Sequence, residues 1–378
     1  MNSKAAFFVF LCLCVFVVPN TFSHETLTTT VLFDREIVRI LNKHCVMCHV
    51  ENGPSFPLST YEETWLRGRK VRAEVIARHM PPWAAVPGYG RFANDNNLTL
   101  RETQFMISWV EGLGPRNAGT VFLNVQDSGA ARPKPVQAQA AFGQWQLGEP
   151  SLMRELPANT IEPQASNEIK RTVIDLGLTA ERRVRALEYM PGDRRVVRAA
   201  FFTVQETGQW IGSWTPWYGF SSVPDGAAYR LPAGAHIVAA IHYRGAKERV
   251  VERGKLGLFF ADKPAPGTVS SIVLEGKNDV SAGGGSQKFH AESRLAADTY
   301  ALALRPEMAA GVKSIEVSAR KPDGGTEILL FAKDIPVDWP TPYIFKEPVL
   351  LRKGTALSVT AYSAQPGGIR VTVLTVPY

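Results

Sequence analysis

The spacing of apolar residues changes along this chain, and the change divides it. From Asp34 to about Val110 the apolar positions recur at helical intervals. Within Asp34 to His44, the residues Ile37, Val38, Ile40 and Leu41 share one face. Thr60-Tyr61-Glu62-Glu63 and Thr99-Leu100-Arg101-Glu102 each have the form of a capping box, in which a threonine hydroxyl and a glutamate carboxylate reciprocally satisfy backbone N–H groups. They predict one helix running toward His79 and another with Phe105, Met106, Trp109 and Val110 inward and Gly112 as its stop. Beyond residue 142 the helical period is lost. Short runs of Val, Ile, Phe, Leu and Tyr lie between Gly and Pro: Arg183–Glu188, Val196–Val204, His236–His242, Lys255–Phe260, Thr268–Leu274, Ser314–Ala319, Glu327–Phe331 and Ala356–Ala361. Such regular short runs predict antiparallel strands, and their number suits two sandwiches joined near Lys263–Gly267. Arg116 to Phe142 is rich in Ala, Pro, Gln and Gly without period and reads as a linker. The expected fold class is multidomain: an all-α domain at 24–115, a linker at 116–142, and two all-β antiparallel sandwiches at 143–263 and 264–378.

Residues 1–23 read as an address. Lys4 gives a positive start, Ala5 to Val18 is almost wholly apolar, and Pro19 to Ser23 supplies a polar, small-residue end. The apolar run is shorter than the about 20 residues of a membrane span, so cleavage after Ser23 is expected rather than an anchor. That implies a periplasmic or secreted protein with no transmembrane anchor. Cys12 and Cys14 leave with the leader, so Cys45 and Cys48 remain. His24 would become the amino terminus, where its amine and ring can chelate copper, although a frayed end is the plainer reading.

The first chemical signal is Cys45-Val46-Met47-Cys48-His49. A Cys-x-x-Cys-His run is the attachment pattern of a covalent haem c. Two thiols on one turn can form thioethers with the two vinyl groups, and the next imidazole, His49, can bind iron as an axial ligand. A redox dithiol or half of a zinc site are the rivals, but a dithiol does not need the histidine, and no second ligand pair follows at zinc spacing. The second signal is Arg78-His79-Met80-Pro81-Pro82-Trp83. A low-spin haem takes a sixth ligand, and Met80 on a proline-stiffened loop suits it. His79 and an open sixth position are the alternatives; Met106 belongs to an amphipathic helix, and Met47 sits within the binding turn.

Cys45 to His49, Gly53 to Tyr61, Met80-Pro81-Pro82-Trp83, Gly88-Tyr89-Gly90, Asn94-Asp95 and Leu98-Thr99 together resemble a bacterial c-type cytochrome domain often fused to a copper type II, ascorbate-dependent monooxygenase-like module. The resemblance implies His49 and Met80 as the axial pair. Trp145-Gln146-Leu147-Gly148-Glu149-Pro150, Arg185-Ala186-Leu187-Glu188, Pro191-Gly192-Asp193-Arg194, Leu231-Pro232-Ala233-Gly234 and Lys321-Pro322-Asp323-Gly324 are similar to landmarks of the paired jelly-roll module of peptidylglycine hydroxylating and dopamine β-monooxygenases. That family holds one copper on three histidines and a second on two histidines and a methionine.

The copper set implied by the resemblance is incomplete here. The chain has seven histidines, and only His236, His242 and His290 fall beyond residue 142. Arg198-Ala199 stands where the family carries a His-His pair, Arg244 replaces the second histidine of a His-x-His, and Met308 lacks its flanking histidines. Arginine does not bind metal, and its charge repels a cupric ion. A remnant site of His242, Met308 and His236 stays possible, with His236 and His242 six residues apart on one strand face. Copper is therefore not expected, and haem is.

The formal charge of +7 marks a basic surface. For an exported protein nucleic acid is not the expected partner; an acidic redox partner protein or anionic lipid is, although a basic solvated surface with no specific partner is the plainer reading. Arg182, Arg183, Arg185, Arg194, Arg195 and Arg198 concentrate that charge and read first as a solvated sheet face, then as a docking patch. Trp210 to Tyr218 is an aromatic cluster expected to pack between the sandwiches. The function expected is one-electron transfer through a His49/Met80 haem, with the β module serving for docking or ligand binding. The alternative is a haem-coupled copper monooxygenase using a remodelled site, and a third reading is a structural protein whose haem only stabilises the fold.

Overall fold

The computed structural model describes residues 29–117 and 143–378, apart from 264, 280–286, 309–310, 337 and 366; the side chains of 277–279 and 308 are also outside the description. The expected leader, His24 and most of the expected linker therefore lie outside the described residues.

Among the described residues strand makes up 44%, and the helices are three and short. A π-helical turn, Phe33–Ile37, runs straight into α1, Val38–His44. Helices α2, Tyr61–Ile76, and α3, Leu100–Glu111, each begin at a capping box. The Glu63 amide donates to Thr60 Oγ1 at 3.2 Å and the Glu102 amide to Thr99 Oγ1 at 3.1 Å. Gly112 caps α3, and Met106 and Trp109 are its buried residues. Ile37, Ile40, Leu41, Val71, Val75, Met106 and Trp109 form part of a small core under the helices.

The expected all-α domain is nevertheless not formed. The segment between α2 and α3 leaves the helical core and joins the β-sheet. Trp83, Ala85 and Phe92 are buried in one cluster with Tyr343, Phe345 and the strands around them. Ala85 bridges Ala332, and Phe92 bridges Phe345. The Val86 amide donates to Phe331 O at 2.7 Å, and the Ala93 amide to Ile344 O at 2.7 Å. Asn94, 2% exposed, donates to Pro342 O and accepts from the Ile344 amide.

The reason lies in the topology of the C-terminal sheet. Its eight strands run from Thr326–Lys333 at one edge to Tyr343–Leu351 at the other. The long strand Ser270–Asp279 joins its two halves, pairing with Ile369–Pro377 along Ser270 to Gly276 and with Gln287–Arg294 beyond. The two edge strands carry N–H and C=O groups that need partners. Residues 84–93 supply those partners at both edges, so a stretch of the helical region completes the second sandwich. Gly90, at φ +74, makes the tight turn in this segment, and a Cβ there would run into Leu329 O.

In the first β half, a six-stranded sheet and the four-stranded sheet Glu168–Asp175, His236–Tyr243, Val197–Val204, Trp210–Trp214 enclose a core. Leu302, Ala303, Leu374 and Val376, from strands of the second half, belong to that same core. All eight runs expected as strands fall on observed strands. Antiparallel sandwiches are thus present, without an all-α domain before them.

Candidate functional site

The chain turns as soon as α1 ends. The Cys45 and Val46 amides both donate to Leu41 O at 2.9 Å, and the Cys48 and His49 amides donate to Cys45 O at 3.0 and 2.9 Å. These bonds wind the Cys-x-x-Cys-His run into a compact turn and leave both cysteines unpaired. The turn closes at Gly53, where a Cβ would collide with Cys48 O. The Leu58 amide then donates to His49 O at 2.9 Å.

His49 is buried. Its Nδ1 lies 2.8 Å from the carbonyl oxygen of Phe56, which can only accept, so Nδ1 carries the ring proton. Nε2 is then the lone-pair nitrogen, the arrangement in which a metal-binding imidazole is oriented by the hydrogen bond of its other nitrogen. Burial, with Arg67 and Lys70 adding repulsion, holds the ring below the usual histidine range against the pull of the Phe56 bond. The Phe56 ring tilts against His49 at 4.9 Å, with the Arg67 guanidinium 5.0 Å and the Lys70 ammonium 5.2 Å from its centroid.

Burial pushes the Cys45 thiol up to about 12, with Cys48 and Glu102 adding to the shift. Burial likewise raises Cys48 to about 11, although Arg194 and Arg198 pull the other way. Catalytic dithiols depend on a depressed thiol pKa. These two are inert protonated thiols at neutral pH, which disfavours the redox-dithiol reading. Among the described residues, no three of His, Cys, Asp and Glu converge as a metal cluster would require. Two half-buried cysteines presented on one turn beside an oriented imidazole fit covalent haem attachment.

The first β half reaches this turn through two arginines. An Arg194 Nη2–H donates to Met47 O, and Arg198 Nη2 donates to Pro54 O at 3.3 Å. Arg198 is 4% exposed and stacks over Trp339 at 4.9 Å. Burial lowers both guanidiniums to about 10, so both stay charged at neutral pH. A β-bulge explains the aim of Arg198. Val197 pairs with Tyr243 and Ala199 with His242, leaving Arg198 as the extra residue, and a bulged residue points away from the regular alternation. The sequence reading placed Arg194 and Arg198 on a solvated face. Nothing local marks an arginine whose partner is a carbonyl some 145 residues away, so they were missed as neighbours of the turn. The other members of that basic run disperse: Arg195 pairs with Asp193 and Glu248, and Arg183 bonds Thr268.

Met80 is half-buried between the end of α2 and the Trp83 anchor, with its amide donating to Glu74 O at 3.3 Å. His79 is exposed, and its Nδ1 engages Glu74 at 3.0 Å. His44 is buried between Asn96 and Glu102, a satisfied structural histidine.

The two histidines expected as copper candidates do not meet. His236 and His242 share one face of their strand, but six residues at about 3.3 Å each put them about 20 Å apart. His236 is held by Glu206 at 2.8 Å. His242 lies edge-on to Phe201 at 5.7 Å, and its Nδ1 is buried without a partner. Met308 ends the strand Thr299–Met308 opposite Ile369. Arg244 pairs with Asp338. In the aromatic cluster, Trp210, Ile211 and Trp214 are buried in the first core, and Trp217 meets Trp339 at 6.1 Å.

No helix among the described residues is long and apolar enough to cross a membrane. No family model matches the chain, and no curated protein matches it. Among solved structures it is similar to the major capsid protein P2 of bacteriophage PM2, at 11% identity over 60% of this chain and 97% of that one, with a TM-score of 0.26. It is also similar to a Paenibacillus xanthan lyase, at 9% identity over 58% of this chain and 25% of that one, with a TM-score of 0.19. At these scores no inference about function rests on either likeness.

Proposed function

We propose that this chain is an exported electron-transfer protein that carries one covalent c-type haem on Cys45 and Cys48. The observation that carries the reading is the hydrogen-bonded turn 45–49 with His49 Nδ1–H committed to Phe56 O, which leaves Nε2 for iron. When bound, the haem supplies reversible one-electron oxidation and reduction of its iron.

The residues divide the work simply. Cys45 and Cys48 give the thioether sulfurs, and capping them as thioethers removes two ionisable groups from a buried site. His49 would give an imidazole nitrogen to the iron, held in orientation by Phe56 O. Met80 would give a thioether sulfur, on a segment fixed at one end by Glu74 O and at the other by Trp83 in the β core. Ile40, Leu41, Val46 and Leu58 supply an apolar surround that keeps water from the turn. The β sandwiches serve as the docking platform, and the net charge of +7 suits an acidic redox partner.

The test is made on purified, acid-denatured protein. A visible chromophore that stays with the polypeptide, and is lost in a Cys45→Ser/Cys48→Ser variant, supports the reading. Metal analysis should give iron without stoichiometric copper, and a redox titration should be reversible with one electron. A colourless denatured chain ends the proposal.

A further inference from the structure

A cavity of about 230 Å³ lies between the two β halves, away from the Cys45–His49 turn. Its floor is the outer face of the four-stranded sheet, where Arg171, Phe201 and His242 stand on adjacent strands. Arg171 is opposite Ala240, and Ala240 is opposite Phe201, so the side chains share one face. Its roof comes from Arg305 and Glu307 on the strand Thr299–Met308 and from the segment leading to Tyr343.

The polar groups here are out of balance. Two guanidiniums, Arg171 and Arg305, face one carboxylate, Glu307. Arg305 is nearly buried, stacks over Phe201 at 4.6 Å, and bonds Glu307 at 2.9 Å. Glu307 is shared with Arg370 at 3.9 Å. Arg171 makes no ion pair among the described residues. Two further cavity-lining groups are buried without partners: the ring Nδ1 of His242 and the side-chain oxygen of Asn167. Folded proteins rarely leave such groups orphaned, and clustered orphans in one cavity ask for a ligand that completes them. Neither orphan belongs to the electron-transfer reading.

The four groups define the ligand's chemistry. Two cations call for an anionic head that accepts hydrogen bonds. The Asn167 oxygen calls for a donor on the same molecule. The ring of His242, kept neutral by burial and by both arginines, has one N–H to give. At about 30 Å³ per water the space equals about eight waters, which limits the ligand to a small molecule.

We propose that this cavity binds a small hydroxycarboxylate, its carboxylate between Arg171 and Arg305 and its hydroxyl donating to Asn167. The site stands whether or not haem is attached, so its test is separate from the one above.

Calorimetric titration of the full chain, purified with whatever prosthetic group it carries, tests this with a panel of lactate, malate and 4-hydroxybenzoate. Benzoate, methyl 4-hydroxybenzoate and inorganic phosphate are the controls. At least one hydroxycarboxylate binds with a Kd below about 1 mM. Removing the hydroxyl weakens binding about tenfold, and the uncharged ester does not bind. Arg171→Gln, at an exposed position that folding does not need, weakens binding about tenfold or more with an unchanged melting temperature. Asn167→Gly abolishes the preference for 4-hydroxybenzoate over benzoate. Failure of the whole panel to bind overturns the proposal. So does equal binding to Arg171→Gln, or phosphate binding as tightly as the best hydroxycarboxylate.

Discussion

Replacing Trp83 by alanine tests whether the segment between α2 and α3 is part of the β core. Trp83 is 6% exposed and lies edge-on to Tyr343 at 5.2 Å and to Phe92 at 6.0 Å. Burying about 200 Å² of apolar surface is worth about 5 kcal/mol at 25 cal/mol per Å². Measured truncations of buried tryptophan fall at about 3–5 kcal/mol, part of the loss being offset as the site relaxes. About 4 kcal/mol is therefore expected, a large share of the about 5–15 kcal/mol that holds a typical domain. The loss should appear in the β-sheet and not only in the helices, because the ring is cemented to Tyr343. Urea unfolding followed by far-UV circular dichroism gives the magnitude. Native-state hydrogen exchange locates it, with peptides covering 326–333, 343–351 and 61–76 losing protection together. Leu66→Ala is the control, at 72% exposure on α2, and should change stability by less than about 0.5 kcal/mol. If Trp83→Ala leaves the two edge-strand peptides protected as in the parent, the helical region is a separate body and the account of the sheet closure fails.

Three other perturbations have defined outcomes. Burial raises the Glu102 carboxyl, but the Thr99 amide and hydroxyl, Lys43 and His44 outweigh it and bring the group down to about 2. A depressed pKa gives stability that is present above about 4.5 and lost as pH falls through about 2, so Glu102→Gln should flatten the stability profile across that window; an unchanged slope refutes the linkage. Glu252 is fully buried and accepts from Tyr243 at 2.7 Å, Gly192 at 2.9 Å and Tyr189 at 3.1 Å. Glu252→Gln puts an NH₂ where an acceptor stood and should cost about 2–4 kcal/mol by denaturant titration, whereas a loss under about 1 kcal/mol would show the network to be unimportant. If Cys45 and Cys48 carry haem as proposed, Arg198→Leu should lower its midpoint potential, since a cation favours the electron-rich state. A unit charge on the order of 10 Å away at an effective dielectric of about 20 is worth about 1.7 kcal/mol, or about 70 mV for one electron; a potential that stays put or rises removes Arg198 from the electrostatics of the turn.

What could be read from the sequence was what local chemistry decides. Capping boxes at Thr60 and Thr99 involve residues three apart, and both are found where the pattern put them. Alternating strands such as His236–Tyr243 announce themselves because one face is buried. The strand Gln287–Arg294 was missed, since its polar residues mask the alternation. The all-α domain was expected because Pro81, Pro82, Gly88 and Gly90 make residues 80–94 look like a loop. Such a stretch can pair with strands some 250 residues away, and no local period records that. Only three histidines lie beyond residue 142, fewer than the five imidazoles of the resembled family. The strand rise, which keeps His236 and His242 about 20 Å apart, makes the remaining pair inadequate for one ion as well.

Much of the organisation converges on the strand Val197–Val204. Its bulge frees Arg198 to bond Pro54 O beside the Cys45–His49 turn and to stack on Trp339 from the second β half. Past the bulge, regular alternation resumes. Ala200, Phe202 and Val204 enter the first core, while Phe201 floors the cavity and carries the Arg305 guanidinium. One strand thus touches the turn, both β halves and the cavity within eight residues. Register is what makes this possible: shifting the bulge by one residue would exchange the core and cavity faces of the strand. It would send Phe201 into the core and aim Ala200 at the cavity. Arg198, which stands where the resembled family carries a histidine, is in this geometry one of the two arginines, with Arg194, that fasten the Cys45–His49 turn to the sandwiches.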